Sequence, residues 1–226
     1  MKKPLFILVL AGHVLIGLFY TTHKYNQSRL FKIAKTEARN LADSNVLKNG
    51  DLIFQTLLSH QGKLVQLATK AKYSHCGLIF KEANKFYVLE AATTVKLTPL
   101  DAWIAHGDDG HFVIKRLKNA GWVLSPGTLK RMKEVAETFK NKSYDPYFEW
   151  SDDKVYASEL VWKVYNRATG LQIGKLQKLA DFDLSSLVVS QTLKERYGNT
   201  IATQDTVISP DAIFNSKFLI TVAYNE

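Results

Sequence analysis

The sequence predicts an α+β fold in which a small antiparallel sheet or half-barrel packs against helices, with a membrane helix at the N-terminus. Three patterns lead to this prediction: an uncharged apolar run near the N-terminus, two apolar stretches joined by a short polar loop between Ser74 and Ala92, and a helical repeat of apolar residues after Tyr156. With 226 residues, 46% of them hydrophobic, the chain is long enough to bury one sizeable core.

The apolar run covers residues 5–20, contains no formal charge and follows Lys2 and Lys3. This charge order is typical of a secretory leader or a signal anchor. Because the run ends in bulky rather than small residues, an uncleaved anchor is favoured over a cleavable signal peptide, and an apolar core helix is the remaining alternative. We predict residues 1–22 to be this segment and the rest to be exported, on the periplasmic face of the inner membrane if the source is Gram-negative.

Charge is unevenly distributed along the chain. Residues 1–45 carry +5, leaving +4 of the total of +9 for the remainder. We predict residues 23–47 to be a basic helical stem beside anionic lipid headgroups, where each cation contributes on the order of 1 kcal/mol. The domain predicted for residues 48–226 is only mildly basic, which argues against nucleic acid as a partner, and no protein partner is indicated.

The chain contains one cysteine, Cys76, so no intrachain disulfide can form. His60, His106 and His111 lack the paired spacing of metal-binding motifs such as HExxH. We therefore predict no metal site and no cofactor.

The stretch HCGLIF, the polar residues KEAN and the stretch KFYVLEAA are typical of a β-hairpin. If Lys81–Asn84 form a four-residue loop, Phe80 pairs with Lys85 and His75 pairs with Glu90. Opposed residues of an antiparallel ladder point to the same face, with Cβ atoms about 5 Å apart. Glu90 is therefore predicted to orient the imidazole of His75, and simple cross-strand packing is the alternative.

Adjacent strand residues project to opposite faces, so Cys76 is predicted to be a buried strand residue rather than a nucleophile for His75. Further elements are predicted from periodicity and turn residues. They are strands at 51–54, 94–97, 111–116 and 218–224, helices at 57–70 and 128–140, and a loop at 141–154. A further helix is predicted within YASELVWKVYNRATG, with Ala157 in its first turn and Gly170 as its stop.

Six segments taken together resemble the YiiX-like branch of the permuted NlpC-type, papain-like cysteine hydrolases. In chain order they are NGDLIF, SHCGLIF, VLEA, LTPLDAWI, YDPYFEWSDDKVYASELVW and ISPDAIF, and they extend from about Asn49 to Thr221. The resemblance implies a permuted papain-like fold in which the histidine and its polar partner precede the nucleophile. His75 and Glu90 match those two positions.

In the family that the chain resembles, the nucleophile lies in a Tyr-Cys-Ser-Glu-Leu segment at the start of a helix, where the helix dipole and an imidazolium lower the pKa of the thiol. This chain has Ala157 at that position, between Tyr156 and Ser158. The resemblance thus implies a folded but inactive chain. Either the alanine is an engineered inactivating substitution, which we favour because the neighbouring positions match, or the protein is a natural pseudoenzyme.

The function implied by the resemblance is acyl transfer to water through a thioester, on an amide or ester of a cell-envelope peptide or an acylated lipid. Tyr144 and Tyr156 are the candidates for binding the substrate or the oxyanion, and anchoring a loop is an equal alternative for Tyr144. Two alternatives remain open: a membrane-tethered binding module without turnover, and a structural membrane protein in which no groove lies beside His75.

Overall fold

The computed structural model describes the backbone of residues 4–198 and 200–225, and side chains from Lys24 onwards within those ranges. The helices are α1 (Pro4–Asp43), α2 (His60–Thr69), α3 (Leu100–Ala105), α4 (Ala120–Val123), α5 (Pro126–Phe139), α6 (Ala157–Thr169), α7 (Leu187–Tyr197) and α8 (Pro210–Phe214). The strands are β1 (Leu52–Gln55), β2 (His75–Glu82), β3 (Lys85–Ala91), β4 (Val95–Pro99), β5 (Phe112–Leu117), β6 (Gln177–Lys178), β7 (Thr206–Val207) and β8 (Leu219–Asn225).

Six of these strands form one antiparallel sheet in the order β4-β3-β2-β1-β5-β8, and β6 pairs with β7 in a separate short ribbon. The prediction of an α+β fold with an antiparallel sheet packed against helices is confirmed. Sequence order and sheet order agree for β1 to β4, but β5 and β8 join on the other side of β1. This places β1 and β2 in the middle of the sheet.

The sheet has a hydrophobic core on each face because alternate residues of its strands point to opposite sides. Leu78 and Phe80 belong to the core shared with α5 and α6, whereas Ile79 and Val88 belong to the core shared with α1 and α3. The protein is therefore a three-layer arrangement, with helices on both faces of the sheet.

The β2–β3 hairpin differs from its predicted register. The observed pairs run from Glu82–Lys85 to Leu78–Leu89, so the loop has two residues, Ala83 and Asn84, rather than four. Lys81 and Glu82 continue the ladder as exposed residues because a strand that extends beyond the core can carry polar side chains. The shift is two residues, and a shift of two keeps every side chain on its predicted face.

Helix α6 has a clear start and end in the sequence. Glu159 lies in the first turn, where the positive end of the helix dipole stabilises a carboxylate. Arg167 lies in the last turn, where the negative end stabilises a cation. Gly170 ends the helix at φ 77°, a left-handed conformation that glycine adopts without strain. The predictions that Ala157 lies in the first turn and that Gly170 ends the helix are both confirmed.

The C-terminal part of α1 lies against the domain. Ala34 and Leu41 are seven residues apart and therefore lie on the same face of α1. Both are buried in the same core as Trp103 of α3. Among the residues that the structure describes, no helix is long and apolar enough to cross a membrane. The leader predicted for residues 1–22 lies outside the residues whose side chains are described.

Gly77 of β2 provides a test of how tightly the hairpin is packed. A Cβ atom at Gly77 would lie 2.3 Å from Cγ1 of Val88 and 2.8 Å from the carbonyl oxygen of Leu89. We expect Gly77→Ala to lower the free energy of unfolding by about 1–3 kcal/mol, as overpacking does in well-packed cores. Urea denaturation measures this change.

Gly121→Ala is the matched control, since a Cβ atom at Gly121 of α4 meets nothing within 4 Å. It should cause no loss of stability, because alanine favours helix more than glycine does. An equal loss in both variants would contradict the packing described here.

Candidate active site

His75 lies at the first position of β2, buried, and opposite Gln55 of β1. Its Nε2 atom is 2.7 Å from Oε2 of Glu90, so the imidazole donates a hydrogen bond to the carboxylate. The observed register puts Glu90 diagonally across from His75, and such diagonal neighbours lie within reach of long side chains. The other ring nitrogen of His75, Nδ1, takes no part in this hydrogen bond.

The Glu90 carboxylate is only 4% exposed and is held from two sides. Its Oε2 atom accepts from His75, and its Oε1 atom accepts from the Thr98 hydroxyl at 2.5 Å. Burial acts to raise the pKa of Glu90. The hydrogen bond and charge of His75 and the hydrogen bond from Thr98 outweigh burial, so the pKa of Glu90 is lowered. Glu90 is therefore a carboxylate at neutral pH.

Trp103 of α3 supports the imidazole from the side. The two rings are stacked with centroids 5.7 Å apart and planes 21° apart, and Trp103 is fully buried. With the carboxylate fixing Nε2 and the indole fixing the ring plane, the orientation of His75 is determined by two separate contacts.

Ala157 is the first residue of α6 and is 6% exposed. The backbone N–H of Tyr156 donates to Oε2 of Glu159 at 3.3 Å, while the Tyr156 hydroxyl accepts from the backbone N–H of Ile208 at 3.0 Å. The Ser158 hydroxyl donates to the carbonyl oxygen of Ile208 at 2.7 Å. These contacts fix the start of α6 against the chain that leads to α8.

One cavity of about 710 Å³ joins these elements. It lies at the end of the sheet where β1 ends and β2 begins, beside the first turn of α6. It is lined by all the predicted site residues, which are His75, Glu90, Tyr144, Tyr156 and Ala157. Such a volume is typical of small-molecule sites, about 300–1,000 Å³.

The two tyrosines lining the cavity are protonated phenols. Burial raises the pKa of Tyr144, and burial followed by the charge of Glu159 raises the pKa of Tyr156. The Tyr156 hydroxyl accepts the Ile208 hydrogen bond, so its proton remains available to donate. Backbone bonds from Tyr144 to Thr93 and from Asp145 to Val155 hold the loop on which Tyr144 lies.

Cys76 and Ser158, which follow His75 and Ala157 in the sequence, also carry possible nucleophiles, but neither is placed to act as one. Cys76 is fully buried on the opposite face of β2, and burial raises the pKa of its thiol. Ser158 is committed to its hydrogen bond with Ile208. The prediction that Cys76 is a buried strand residue is confirmed.

A buried ion pair joins the first and second turns of α6. Nζ of Lys163 is 2.7 Å from Oε1 of Glu159, without the alignment of a hydrogen bond, and both side chains are almost fully buried. Burial raises the pKa of Glu159 to about 7, despite the charge of Lys163. Lys163 is also bonded to Asp152, which pairs with Arg167.

Gln55, Lys96, Thr98 and Trp103 contribute to the site and were not among the predicted residues. Gln55 and Lys96 line the cavity, and Oε1 of Gln55 is buried with no partner among the described residues. Finding Gln55 requires knowing that β1 pairs with β2, and finding Thr98 requires the β3–β4 pairing. The sequence gives no local signal for either contact.

Comparison with known proteins shows the family of this chain. Residues 46–222 match the family model described as "Permuted papain-like amidase enzyme, YaeF/YiiX, C92 family". The chain belongs to this permuted papain-like amidase family. Residues 46–222 include every predicted site residue, helices α2 to α8 and all of the sheet except the last three residues of β8.

Two similar proteins come from this YaeF/YiiX family. The chain is 47% identical to YiiX of Escherichia coli K12 over 176 residues. This alignment covers 78% of this chain and 86% of that protein. The crystal structure of yiiX from Escherichia coli O157:H7, 46% identical, superimposes with a TM-score of 0.74 over 79% of this chain and 97% of that chain.

That crystal structure is described as one of a metalloprotein. In this chain, the described residues contain no group of three or more His, Cys, Asp or Glu side chains placed to hold a metal ion. Zinc sites in proteins use three or four such ligands. The described side chains around His75 and Glu90 do not fit such a site.

The raised pKa of Glu159 predicts a pH dependence of stability. The folded-state pKa of about 7 exceeds the ordinary value of 4.5, so the folded state binds the proton more tightly than the unfolded state. The stability that this proton provides is present below pH 4.5 and is lost as the pH rises to about 7. Relative to Glu159→Gln, the unsubstituted chain should lose up to roughly 3 kcal/mol across this interval.

Urea unfolding of both proteins at several pH values between 4.5 and 8 measures this difference. Comparing the two proteins cancels the titration of groups that do not contact Glu159. A difference in unfolding free energy that stays constant, or that grows in favour of the unsubstituted chain as the pH rises, would contradict the assignment.

Proposed function

We propose that this protein is the nucleophile-less form of a cysteine hydrolase that cleaves an amide or ester of a cell-envelope peptide or an acylated lipid. The observation that carries the proposal is the buried His75–Glu90 pair, which lines the same cavity as Ala157 at the start of α6. In the proposed roles His75 is the base, Glu90 orients it, and position 157 holds the nucleophile.

The reaction with cysteine at position 157 follows from these contacts. The thiol gives its proton to Nδ1 of His75, the sulfur bonds to the substrate carbonyl carbon, and the leaving amine or alcohol takes the proton from Nδ1. Water then attacks the thioester and gives a proton to Nδ1, the carbon–sulfur bond breaks, and the sulfur recovers the proton. Glu90 stabilises the imidazolium in both halves of the reaction.

The negative oxygen that forms in each half needs hydrogen-bond donors. The first N–H groups of a helix have no acceptor within the helix and lie at the positive end of its dipole. We assign the backbone N–H groups at the start of α6 to this oxygen, with the hydroxyls of Tyr144 and Tyr156 as further donors to the oxygen or the substrate.

A second candidate function is that of a natural pseudoenzyme, a membrane-tethered binding module that keeps the cavity without turnover. It is favoured by the alanine itself, which removes the sulfur while leaving the start of α6 in place. The codon for residue 157 in the native gene separates the two: a cysteine codon supports the hydrolase, and an alanine codon supports the binding module.

We place the domain outside the cytoplasmic membrane, anchored through residues 1–22 and facing the periplasm in a Gram-negative source. Support comes from the uncharged run after Lys2 and Lys3 and from the +5 charge of residues 1–45. Fractionation of cells that produce the full chain, with and without residues 1–22, tests this placement.

The proposed chemistry is tested by returning a thiol to the site. We expect Ala157→Cys to react with iodoacetamide at pH 6.5 at least about tenfold faster than a free cysteine, because such thiols have pKa values of about 3.5–7.5 instead of about 8.5. Mass spectrometry of the intact protein follows the alkylation. Adding His75→Ala to Ala157→Cys should remove the rate increase.

The unsubstituted chain serves as the control, since its single thiol, Cys76, is fully buried. It should remain unmodified while the fold is intact. A thiol at position 157 that reacts no faster than free cysteine, or equally fast without His75, would rule out the proposed base–nucleophile pair.

A further inference from the structure

Arg196, in the last turn of α7, joins α2 to the loop that carries Tyr144. Its Nη2 atom donates to Oε1 of Gln61 on α2 at 2.7 Å, and its Nη1 atom donates to the backbone carbonyl oxygen of Pro146 at 2.6 Å. Gln61 and Tyr144 both line the cavity that contains the proposed base and the nucleophile position. The guanidinium therefore holds together two separate walls of the site.

The contact with Arg196 fixes the direction in which the Gln61 amide points. A guanidinium carries only hydrogen-bond donors, so the amide atom that faces it is the oxygen. The amide nitrogen, Nε2, is then turned away from Arg196. It is buried and has no well-aligned acceptor within the part of the chain that the structure describes. Gln61 thus places an N–H donor of fixed direction in the wall of the cavity.

This amide nitrogen lies beside the hydroxyl of Tyr144. Burial is the main cause of the raised pKa of the Tyr144 phenol, while the charge of Arg196 and a hydrogen bond from Gln61 act to lower that pKa. A hydrogen bond lowers the pKa of a phenol when it is donated to the oxygen, because it then stabilises the phenolate. Since Oε1 of Gln61 is bonded to Arg196, the donor that faces the phenol oxygen is Nε2.

A donor to the phenol oxygen determines what the hydroxyl proton can do. The proton of a hydroxyl rotates away from a group that donates to its oxygen, so the Tyr144 proton is left for an acceptor elsewhere. Tyr156 has the same arrangement, because its oxygen accepts from the backbone N–H of Ile208 at 3.0 Å. Each of the two tyrosines that line the cavity therefore has an N–H donor at its oxygen and a proton to give.

We propose that Gln61, held in place by Arg196, is a positioning residue that directs the hydroxyl proton of Tyr144 toward the carbonyl oxygen of the substrate. The proposal rests on the proposed function, which places this carbonyl beside position 157 and assigns Tyr144 as a donor to its negative oxygen. Gln61 itself does not touch the reacting atoms. Its effect is confined to the steps in which the carbonyl oxygen becomes negative.

Two reagents separate this role from a general effect on the site, and both are used on the Ala157→Cys protein. Iodoacetamide alkylates the thiol by displacement of iodide from a saturated carbon, so no negative oxygen forms. With p-nitrophenyl acetate the sulfur bonds to the carbonyl carbon and the carbonyl oxygen becomes negative. The carbonyl then reforms as the bond to p-nitrophenolate breaks, which leaves a thioester. Mass spectrometry of the intact protein measures alkylation, and release of p-nitrophenolate with the protein in excess measures acylation.

Gln61→Met, made in the Ala157→Cys protein, removes the N–H donor and keeps a side chain of similar length. Loss of one oxyanion donor costs about 100- to 1,000-fold in rate, and Gln61 acts on such a donor indirectly, so we expect acylation to slow at least about tenfold. Alkylation should keep its rate. Gln191→Met is the matched control, since Gln191 is an exposed residue of α7 that does not line the cavity. It should change neither rate.

Tyr144→Phe, also in the Ala157→Cys protein, tests whether Gln61 acts through the phenol. It should slow acylation at least as much as Gln61→Met does. Adding Gln61→Met to Tyr144→Phe should slow acylation no further, because two residues that act as a unit have non-additive effects. If Gln61→Met fails to fold, judged by its circular dichroism, Gln61→Ala replaces it.

An unchanged acylation rate in Gln61→Met would overturn the positioning role. Equal slowing of acylation and alkylation would also overturn it, because a merely structural loss affects both reactions, and so would additive losses in the double variant. If Ala157→Cys is alkylated fast and only the Gln61 results fail, the proposed function stands without this role. A thiol at position 157 that reacts with neither reagent faster than free cysteine does would contradict the proposed function and the positioning role together.

Discussion

The buried carboxylate of Glu90 is the constraint on which the site depends. A carboxylate that is 4% exposed has lost its water, and without partners it would become protonated or force the structure open. His75 and Thr98 provide those partners, from β2 and β4 on either side of β3. All three strands must therefore be in register before the imidazole can be held, so the orientation of the proposed base is a property of the sheet rather than of a loop.

The site also depends on the packing of α6 against the other face of the sheet. Helix α6 packs against β2 and β3 through residues such as Leu160 and Val164, which belong to the core on the face opposite His75. Packing on one face of the sheet thus sets where α6 begins, while hydrogen bonding on the other face sets the orientation of His75. The cavity forms where both meet, at the end of the sheet, and this geometry accounts for a site assembled from residues more than 80 positions apart.

Local sequence patterns predicted much of the fold and part of the site. The hairpin pattern placed His75 and Glu90 on one face, although the register was wrong by two residues, because the period of a strand is two and the face survives such a shift. The contacts of Gln55 and Thr98 depend on the order of strands in the sheet, and the stacking of Trp103 depends on how α3 folds over it. Helices α2 and α7 contact each other although they are far apart in the sequence, and no local pattern reports a contact at that separation.

In the proposed reaction position 157 decides whether the site performs chemistry, because neither Ser158 nor Cys76 is placed to replace a sulfur there. The Ser158 hydroxyl is held by the Ile208 carbonyl, and moving it toward His75 would leave that buried acceptor unpaired, at a cost of about 1–3 kcal/mol. Cys76 points into the core on the far face of β2 and would need the sheet to open. Alanine at position 157, by contrast, disturbs none of the contacts that orient His75 or begin α6. An intact binding cavity and the proposed loss of turnover are therefore compatible, and the two proposed functions differ at one side chain.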